Sequence, residues 1–149
     1  MNEKTLAALS GAIYLSRLAL KGESADTDDK RLRASGLYPD WAPGVHKEGE
    51  IYNARGQVWA CIQDYDSAVY PGITPEGPAW GTFHRPLHGT SPETARPFVA
   101  VTGAHDTYKA GEYAWFEGAL YRCLSETAHS PAEYPGAWAL HVEKKEDAI

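Results

Sequence analysis

The stretch "EGEIYNARGQVWAC", Glu48 to Cys61, decides how this chain is read, because "AGEYAWFEGALYRC", Ala110 to Cys123, repeats it 62 positions later. In each copy a Gly-Glu pair opens a short strand of alternating character, "IYN" in the first and "YAWF" in the second. A turn follows, Ala54-Arg55-Gly56 or Glu117-Gly118, and the chain returns as "QVWACI" or "ALYRCL". Apolar alternation on both sides of a glycine-bearing turn predicts a β-hairpin. Residues two apart on a strand share a face, so Trp59 with Cys61, and Tyr121 with Cys123, are expected on one side of each return strand.

Downstream, each copy reaches a tryptophan behind a loop rich in proline and glycine: Trp80 after "YPGITPEGPA" and Trp138 after "YPGA". Two or three short strands bury too little surface to be stable alone. One large ring laid across the sheet contributes roughly 1.5–3 kcal/mol of burial. Trp80 and Trp138 are therefore predicted as core rings, with Trp59, Cys61, Tyr121 and Cys123 beside them. Equivalent cysteines in two separate small cores should not meet, so Cys61 and Cys123 are expected as free, buried side chains rather than a disulfide.

The chain has 149 residues, the size of one ordinary domain or two very small ones. Five Trp and nine Tyr stand against three Phe and one Met, so much of the apolar surface lies on rings with a polar handle. With 14 Gly and 10 Pro, little regular helix is expected beyond the first twenty residues. A net charge of −6 argues against a nucleic-acid partner, which needs a basic stripe. The apolar stretch Leu6 to Leu20 carries Ser10, Ser16 and Arg17, is too short to span a bilayer and lacks the layout of a signal peptide. No membrane insertion is expected, and synthesis in a bacterial cytoplasm is.

Lys4 to Lys21 carries the one helical pattern: Leu6, Leu9, Ile13 and Leu20 are spaced three, four and seven apart, and Gly22 follows. So short a helix must pack on something, either its own domain or the same helix of another subunit. "ESADTDDKRLR", Glu23 to Arg33, reads as a solvated linker or an exposed turn of helix. The expected organisation is an N-terminal helix for docking or oligomerisation (1–22), a linker (23–36), a first β module (37–83), a linker (84–97), a second β module (98–142) and a C-terminal tail (143–149). "FVAV", Phe98 to Val101, is the candidate third strand of the second module.

Gly-Glu, a turn glycine, an aromatic-x-Cys and a closing Trp, found twice in register, resemble the carbohydrate-binding modules of families 5 and 12. These chitin-binding-type modules are known from chitinases and cellulases and also occur in bacteriophage tail proteins. "SGLYPDWAPGVHKEGEIY", with Leu37, Tyr38, Pro39, Trp41 and Gly44, further resembles phage or prophage tail-associated proteins in which a helix precedes the module. The fold class this implies is mainly β with one N-terminal α-helix and two tandem small three-stranded β modules. In sugar-binding members, two adjacent exposed aromatics and a tryptophan ahead of the first strand form a flat face for pyranose rings. Here the paired positions are Gln63-Asp64 and Ser125-Glu126, and Trp41 matches the third aromatic for the first copy only. Other rings could serve: Tyr65 and Tyr70 in the first copy, Trp115 and Tyr134 in the second. Trp41, Tyr65, Tyr70, Trp115 and Tyr134 are thus the candidate ligand-binding residues.

Nothing in the sequence points to catalysis, a metal or a cofactor. His84 and His88 lie four apart, but Pro86 and Gly89 deny them a helix on which to share a metal. Glu50 and Glu112 are repeat-related and are not expected to converge as an acid/base pair. The implied function is a non-enzymatic phage or prophage virion protein at the tail, a homo-oligomer through its helix, with a trimer among the states allowed, whose modules touch a host-surface glycan or another tail protein. A structural tail adaptor or decoration protein without sugar binding is the alternative. A third reading, the chitin-binding part of a secreted polysaccharide hydrolase, requires an export signal.

Overall fold

A computed structural model of the chain describes residues 2–142. It is mostly β with one main N-terminal helix, and it divides into two compact units, one ending at Leu87 and the other beginning at His88. The expected tail, 143–149, lies outside the described residues.

The first unit opens with helix α1 (Glu3–Leu20). The Asn2 side chain caps it by accepting a hydrogen bond from the Thr5 amide at 2.7 Å, and Glu3 and Arg17 sit at the ends that the helix dipole favours. The helix packs inside its own unit through Leu18 and its small residues Ala7 and Gly11. A Cβ at Gly11 would lie 3.0 Å from the Ala34 carbonyl oxygen, and one at Gly36 would run into the Ala7 carbonyl. Leu6, Leu9, Ile13 and Leu20, the stripe expected to pack, stay 54%, 45%, 45% and 88% exposed. Backbone approach through glycine and alanine outcompeted leucine burial on that side. Among the described residues no helix is long and apolar enough to cross a membrane.

Residues 23–33, read as a solvated linker or an exposed turn of helix, contain a second helix, α2 (Asp28–Arg33), capped by the Thr27 hydroxyl accepting from the Lys30 amide at 3.2 Å. Its one apolar residue, Leu32, is 3% exposed and packs with Val58, Ala60 and Leu87. Asp28 is gripped by the Arg85 guanidinium through two bonds of 2.8 Å. A helix of six residues with a single apolar side chain has no period to detect, so its sequence looks like loop.

Leu32 covers one face of a three-stranded antiparallel sheet, β2 (Ile51–Ala54), β3 (Gln57–Cys61) and β5 (His84–Pro86), with β3 in the middle. Val58 and Ala60 point to α2, while Trp59 and Cys61 point the other way, and every residue of β3 is buried. Arg55 and Gly56 carry φ values of 53° and 74°, the left-handed pair of a tight hairpin turn. A separate ribbon pairs β1 (Val45–His46) with β4 (Tyr65–Asp66).

In the second unit the sheet has four strands: β6 (Arg96–Pro97), β7 (Tyr113–Phe116), β8 (Ala119–Cys123) and β9 (Trp138–Val142). Strand β6 pairs with β7 in parallel, and the rest are antiparallel. Tyr108, Ala114, Cys123, Ala137 and Trp138 form the core, with Phe98, Val101 and Tyr121 packed against it. The expected linker 84–97 therefore holds a strand at each end, β5 and β6. Phe98 to Val101 is not the third strand; β9 fills that place, and only Arg96–Pro97 joins the sheet upstream.

The two units repeat one set of bonds at the 62-residue offset. The Gly49 amide donates to the Cys61 carbonyl and the Gly111 amide to the Cys123 carbonyl, both at 2.9 Å. Each thiol donates to a carbonyl two residues on, Cys61 to Gln63 at 3.1 Å and Cys123 to Ser125 at 3.0 Å, and both cysteines are free and buried. The Ile62 amide meets the Phe83 carbonyl as the Leu124 amide meets that of Ala137. The counterpart of Trp138 is consequently His84, not Trp80: Cys61 faces His84 where Cys123 faces Trp138. Trp80, expected as a core ring, lies half-buried on a short 3₁₀ turn with its edge toward Trp59, ring centres 5.2 Å apart. Large and small have traded places: Tyr52 with His84 in one core, Ala114 with Trp138 in the other, which conserves filling while changing chemistry.

Replacing Leu32 by Ala should cost about 2–5 kcal/mol, the range for a buried leucine whose site cannot collapse. Chemical denaturation should register it as a lowered midpoint, whereas Arg33→Ala on the exposed side should change stability by no more than about 0.5 kcal/mol.

Candidate functional site

The first unit concentrates its rings on the face of the sheet away from α2. Trp41 stacks on His46 (5.7 Å between centres), His46 on Tyr65 (5.2 Å) and Tyr65 on Phe83 (4.3 Å). The β1–β4 ribbon places His46 opposite Tyr65, and the Trp41 indole N–H donates to the Tyr65 hydroxyl at 2.8 Å. His46 lies within hydrogen-bond distance of the Glu50 carboxylate through Nδ1 at 2.9 Å and of the Ala42 carbonyl through Nε2 at 2.7 Å. Burial works to raise the Glu50 carboxyl, but bonds from His46 and the Lys47 amide outweigh it and hold it below the ordinary carboxylate range. The second unit uses the same bracing with the ring supplied differently. Tyr108 takes the place of His46, and His88 stacks on it at 3.7 Å while bonding Glu112 at 2.9 Å. Both Glu residues also accept the amide of a lysine three residues before them, which ties each carboxylate to its own loop.

Beneath the stack, the Tyr52 hydroxyl and His84 Nδ1 share a hydrogen bond of 2.6 Å. The other ring nitrogen, Nε2, is buried and has no hydrogen-bond partner. Burial, followed by the charge of His46, pushes His84 down to about 4. Burial also raises the Tyr52 phenol well above its usual value, so both partners of this pair stay neutral.

Trp41 opens outward onto a groove of about 390 Å³, lined also by Asp40, Asn53, Arg55, Gly56 and Gln57. The elements that build it are the hairpin turn and the segment Pro39–Trp41, which runs beside β2: the Trp41 amide donates to the Asn53 carbonyl and the Asn53 amide to that of Pro39, both at 2.8 Å. The Asn53 side-chain amide donates to the carbonyls of Ser35 and Tyr38, which fixes the groove wall to the α1 side of the unit. One half-buried indole, an exposed guanidinium at the turn and the Asp40 carboxylate thus converge on a concave surface of a size that takes a small polar ligand.

The candidate rings fall into different settings. Trp41 lines the groove. Tyr65 is 6% exposed and spends its hydroxyl on Trp41, so it supports the site from inside rather than touching a ligand. Tyr70 is exposed and leans over Phe83 at 5.1 Å, at the far end of the same chain of rings. Trp115 is half-buried on the sheet face shared with Tyr113, as alternation in "YAWF" requires, and Tyr134 is exposed with His129 at 6.3 Å edge-on. Trp41, Tyr65 and Tyr70 are therefore linked, while Trp115 and Tyr134 belong to the second unit.

Sequence reasoning missed His46, Arg55 and His84, and also Phe98. The Phe98 amide donates to the Trp115 carbonyl at 2.8 Å as Trp41 does to Asn53, so Phe98 is the second-unit counterpart of Trp41. No signal at the 62-residue offset exposes that match, because the intervening loops differ in length. Asp64 and Glu126, at the positions where the resembled family carries paired aromatics, are braces: Asp64 accepts the Glu48 amide at 2.8 Å, and Glu126 accepts the Thr107 hydroxyl at 2.7 Å. Among the described residues no group of three or more His, Cys, Asp or Glu is placed to hold a metal. No model of a known protein family matches the chain, and a search of curated proteins found no match.

His84 makes stability pH-dependent in a defined direction. Its folded value near 4 lies below the ordinary 6.5, so the unfolded chain binds the extra proton first. The stabilisation is complete above about pH 6.5 and is lost as pH falls toward 4, by up to about 3 kcal/mol. Denaturation midpoints measured between pH 7 and 4 should fall less steeply for His84→Phe than for the unaltered protein.

Proposed function

We propose that this chain is a non-enzymatic, tail-associated virion protein of a phage or prophage whose β units are of the family 5/12 carbohydrate-binding type and recognise a host-surface glycan. The observation that carries the reading is the groove at Trp41, where an indole lies beside Asp40, Asn53, Arg55 and Gln57. Apolar C–H faces of a pyranose ring pack on an indole while its hydroxyls take the surrounding donors and acceptors, the combination that small-ligand sites need. The twice-used hairpin, bonded alike in both units, supports relationship to a module that occurs in repeats. It also supports binding over catalysis, since two weak contacts on one body raise avidity without one strong site.

A structural tail adaptor or decoration protein is the second reading, and particular residues favour it. Gln63, Asp64, Ser125 and Glu126 fill the family's aromatic positions with polar side chains engaged in bracing loops or facing water. Phe98, where the first unit has Trp41, packs into the second core against Tyr108.

A glycan array probed with the intact protein separates the two. Under the first reading a defined saccharide is retained, Arg55→Ala weakens it on the order of tenfold, and Trp41→Phe weakens it less than Trp41→Ala. Retention of no saccharide, or binding that survives Trp41→Ala and Arg55→Ala unchanged in a folded protein, moves the chain to the adaptor reading.

A further inference from the structure

The leucine stripe of α1 is left outward and has a regular spacing of its own. Leu6, Leu9, Ile13, Ser16 and Leu20 follow one another at three, four, three and four residues, the period of a coiled-coil seam. At 3.6 residues per turn they lie within an arc of about 80°. Ala7, Gly11 and Leu18, which face the rest of the unit, lie on the opposite side of the helix, and Gly11 and Leu18 are buried. Intramolecular packing has thus taken one face and left the seam face outward, with four large aliphatic side chains from 45% to 88% exposed.

We propose that α1 is a self-association helix, and that its seam is covered by the parallel α1 of a second copy of this chain. A seam phased at three and four over five positions is demanded by a partner helix that keeps the same register, and another copy supplies that helix. The flanking positions agree: Thr5, Ala12 and Ala19 on one side and Ser10 and Arg17 on the other are small or carry a single charge. Identical faces can close without a row of like charges meeting. A membrane surface is disfavoured by the same residues, because an interfacial helix carries several Lys or Arg beside its apolar face and the whole chain bears −6. Parallel pairing brings each residue against its own copy, so Ser16 hydroxyls meet each other and Leu20 meets Leu20. Antiparallel pairing about the helix midpoint would set Ser16 near Leu6 and leave Leu20 beside Glu3. Self-association stands on the helix alone; that it multiplies the Trp41 groove and so the avidity for a surface follows only if the groove binds as proposed.

The test is light scattering on the intact protein over a range of concentrations on the order of 1–500 μM, around the affinities expected for a short coiled coil. The expected mass is a multiple of 16.3 kDa that falls on dilution. Ile13→Glu places a charge in the seam at an exposed position, so it should reduce the mass to one chain while circular dichroism and the thermal midpoint of the dilute protein stay unchanged; Ile13→Leu should retain assembly. If Ile13→Glu disturbs folding, Leu9→Glu serves in its place. Leu9→Cys should cross-link to its own copy under mild oxidation, as parallel pairing requires. A single-chain mass throughout the range, assembly that persists in both Glu variants, or assembly without Leu9→Cys cross-linking overturns the proposal. Glycan retention by monomeric Ile13→Glu is read separately, so failure of the seam and failure of the groove give different results.

Discussion

Strand β3 is five residues long and buried on both faces, and that constraint organises the first unit. A strand in the middle of a three-stranded sheet has its backbone bonded on both edges, but so small a sheet holds together only if both faces are covered. One side is closed by Leu32 of α2 with Leu87, the other by Trp59, Tyr52 and His84 under the ring stack. From this follow the helix in the segment that looks like a linker, the grip of Arg85 on Asp28, and the placement of Trp41 at the rim rather than inside. Among the described residues of the second unit no helix covers β8 in this way: Arg122, in the register of Ala60, is exposed. One hairpin design is therefore held in two ways.

The two cores also differ in what their chemistry permits. Trp138 fills its unit with one large ring, and its indole N–H is satisfied by the His129 carbonyl at 3.1 Å. Tyr52 and His84 fill comparable space with two polar side chains that satisfy each other only in part, since Nε2 of His84 has no partner. Leaving a buried polar nitrogen unpaired costs stability. The first unit accepts that cost together with a folded state that resists protonation. The rings of Trp41, His46 and Tyr65 pack against this pair, and the Trp41–Tyr65 bond lies beside the groove. Rigidity of the Trp41 ring, a requirement for any contact that depends on stacking, is obtained there from a polar cluster, and in the second unit Phe98 serves the core instead.

Helix α1 shows how small residues redirect a hydrophobic pattern. Gly36 and Gly11 let backbone touch backbone, so the helix docks through its small residues and Leu18, and the face with the strongest period is left outward. A groove on one side of the unit and an apolar seam on the helix divide the tasks of contact and assembly between separate surfaces.

The sequence by itself determined the hairpins. Alternation around Arg55-Gly56 and Glu117-Gly118 requires them locally, and the recurrence of Gly-Glu and Cys at one offset makes their bonding repeat, because turn conformation and strand period depend on neighbouring residues. It also determined the main helix and the free state of Cys61 and Cys123. The tertiary structure alone decided which rings are core and which line the site. Trp80 and Trp138 look interchangeable in sequence, yet strand register gives the place of Trp138 to His84. Tyr65 and Trp41 look equally available, yet one is sealed by Phe83 and His46 while the other faces the groove. Leu32 has no local period, and its burial exists only because β3 needs a cover. Burial and register are set by residues distant in the chain, and no local pattern carries that information.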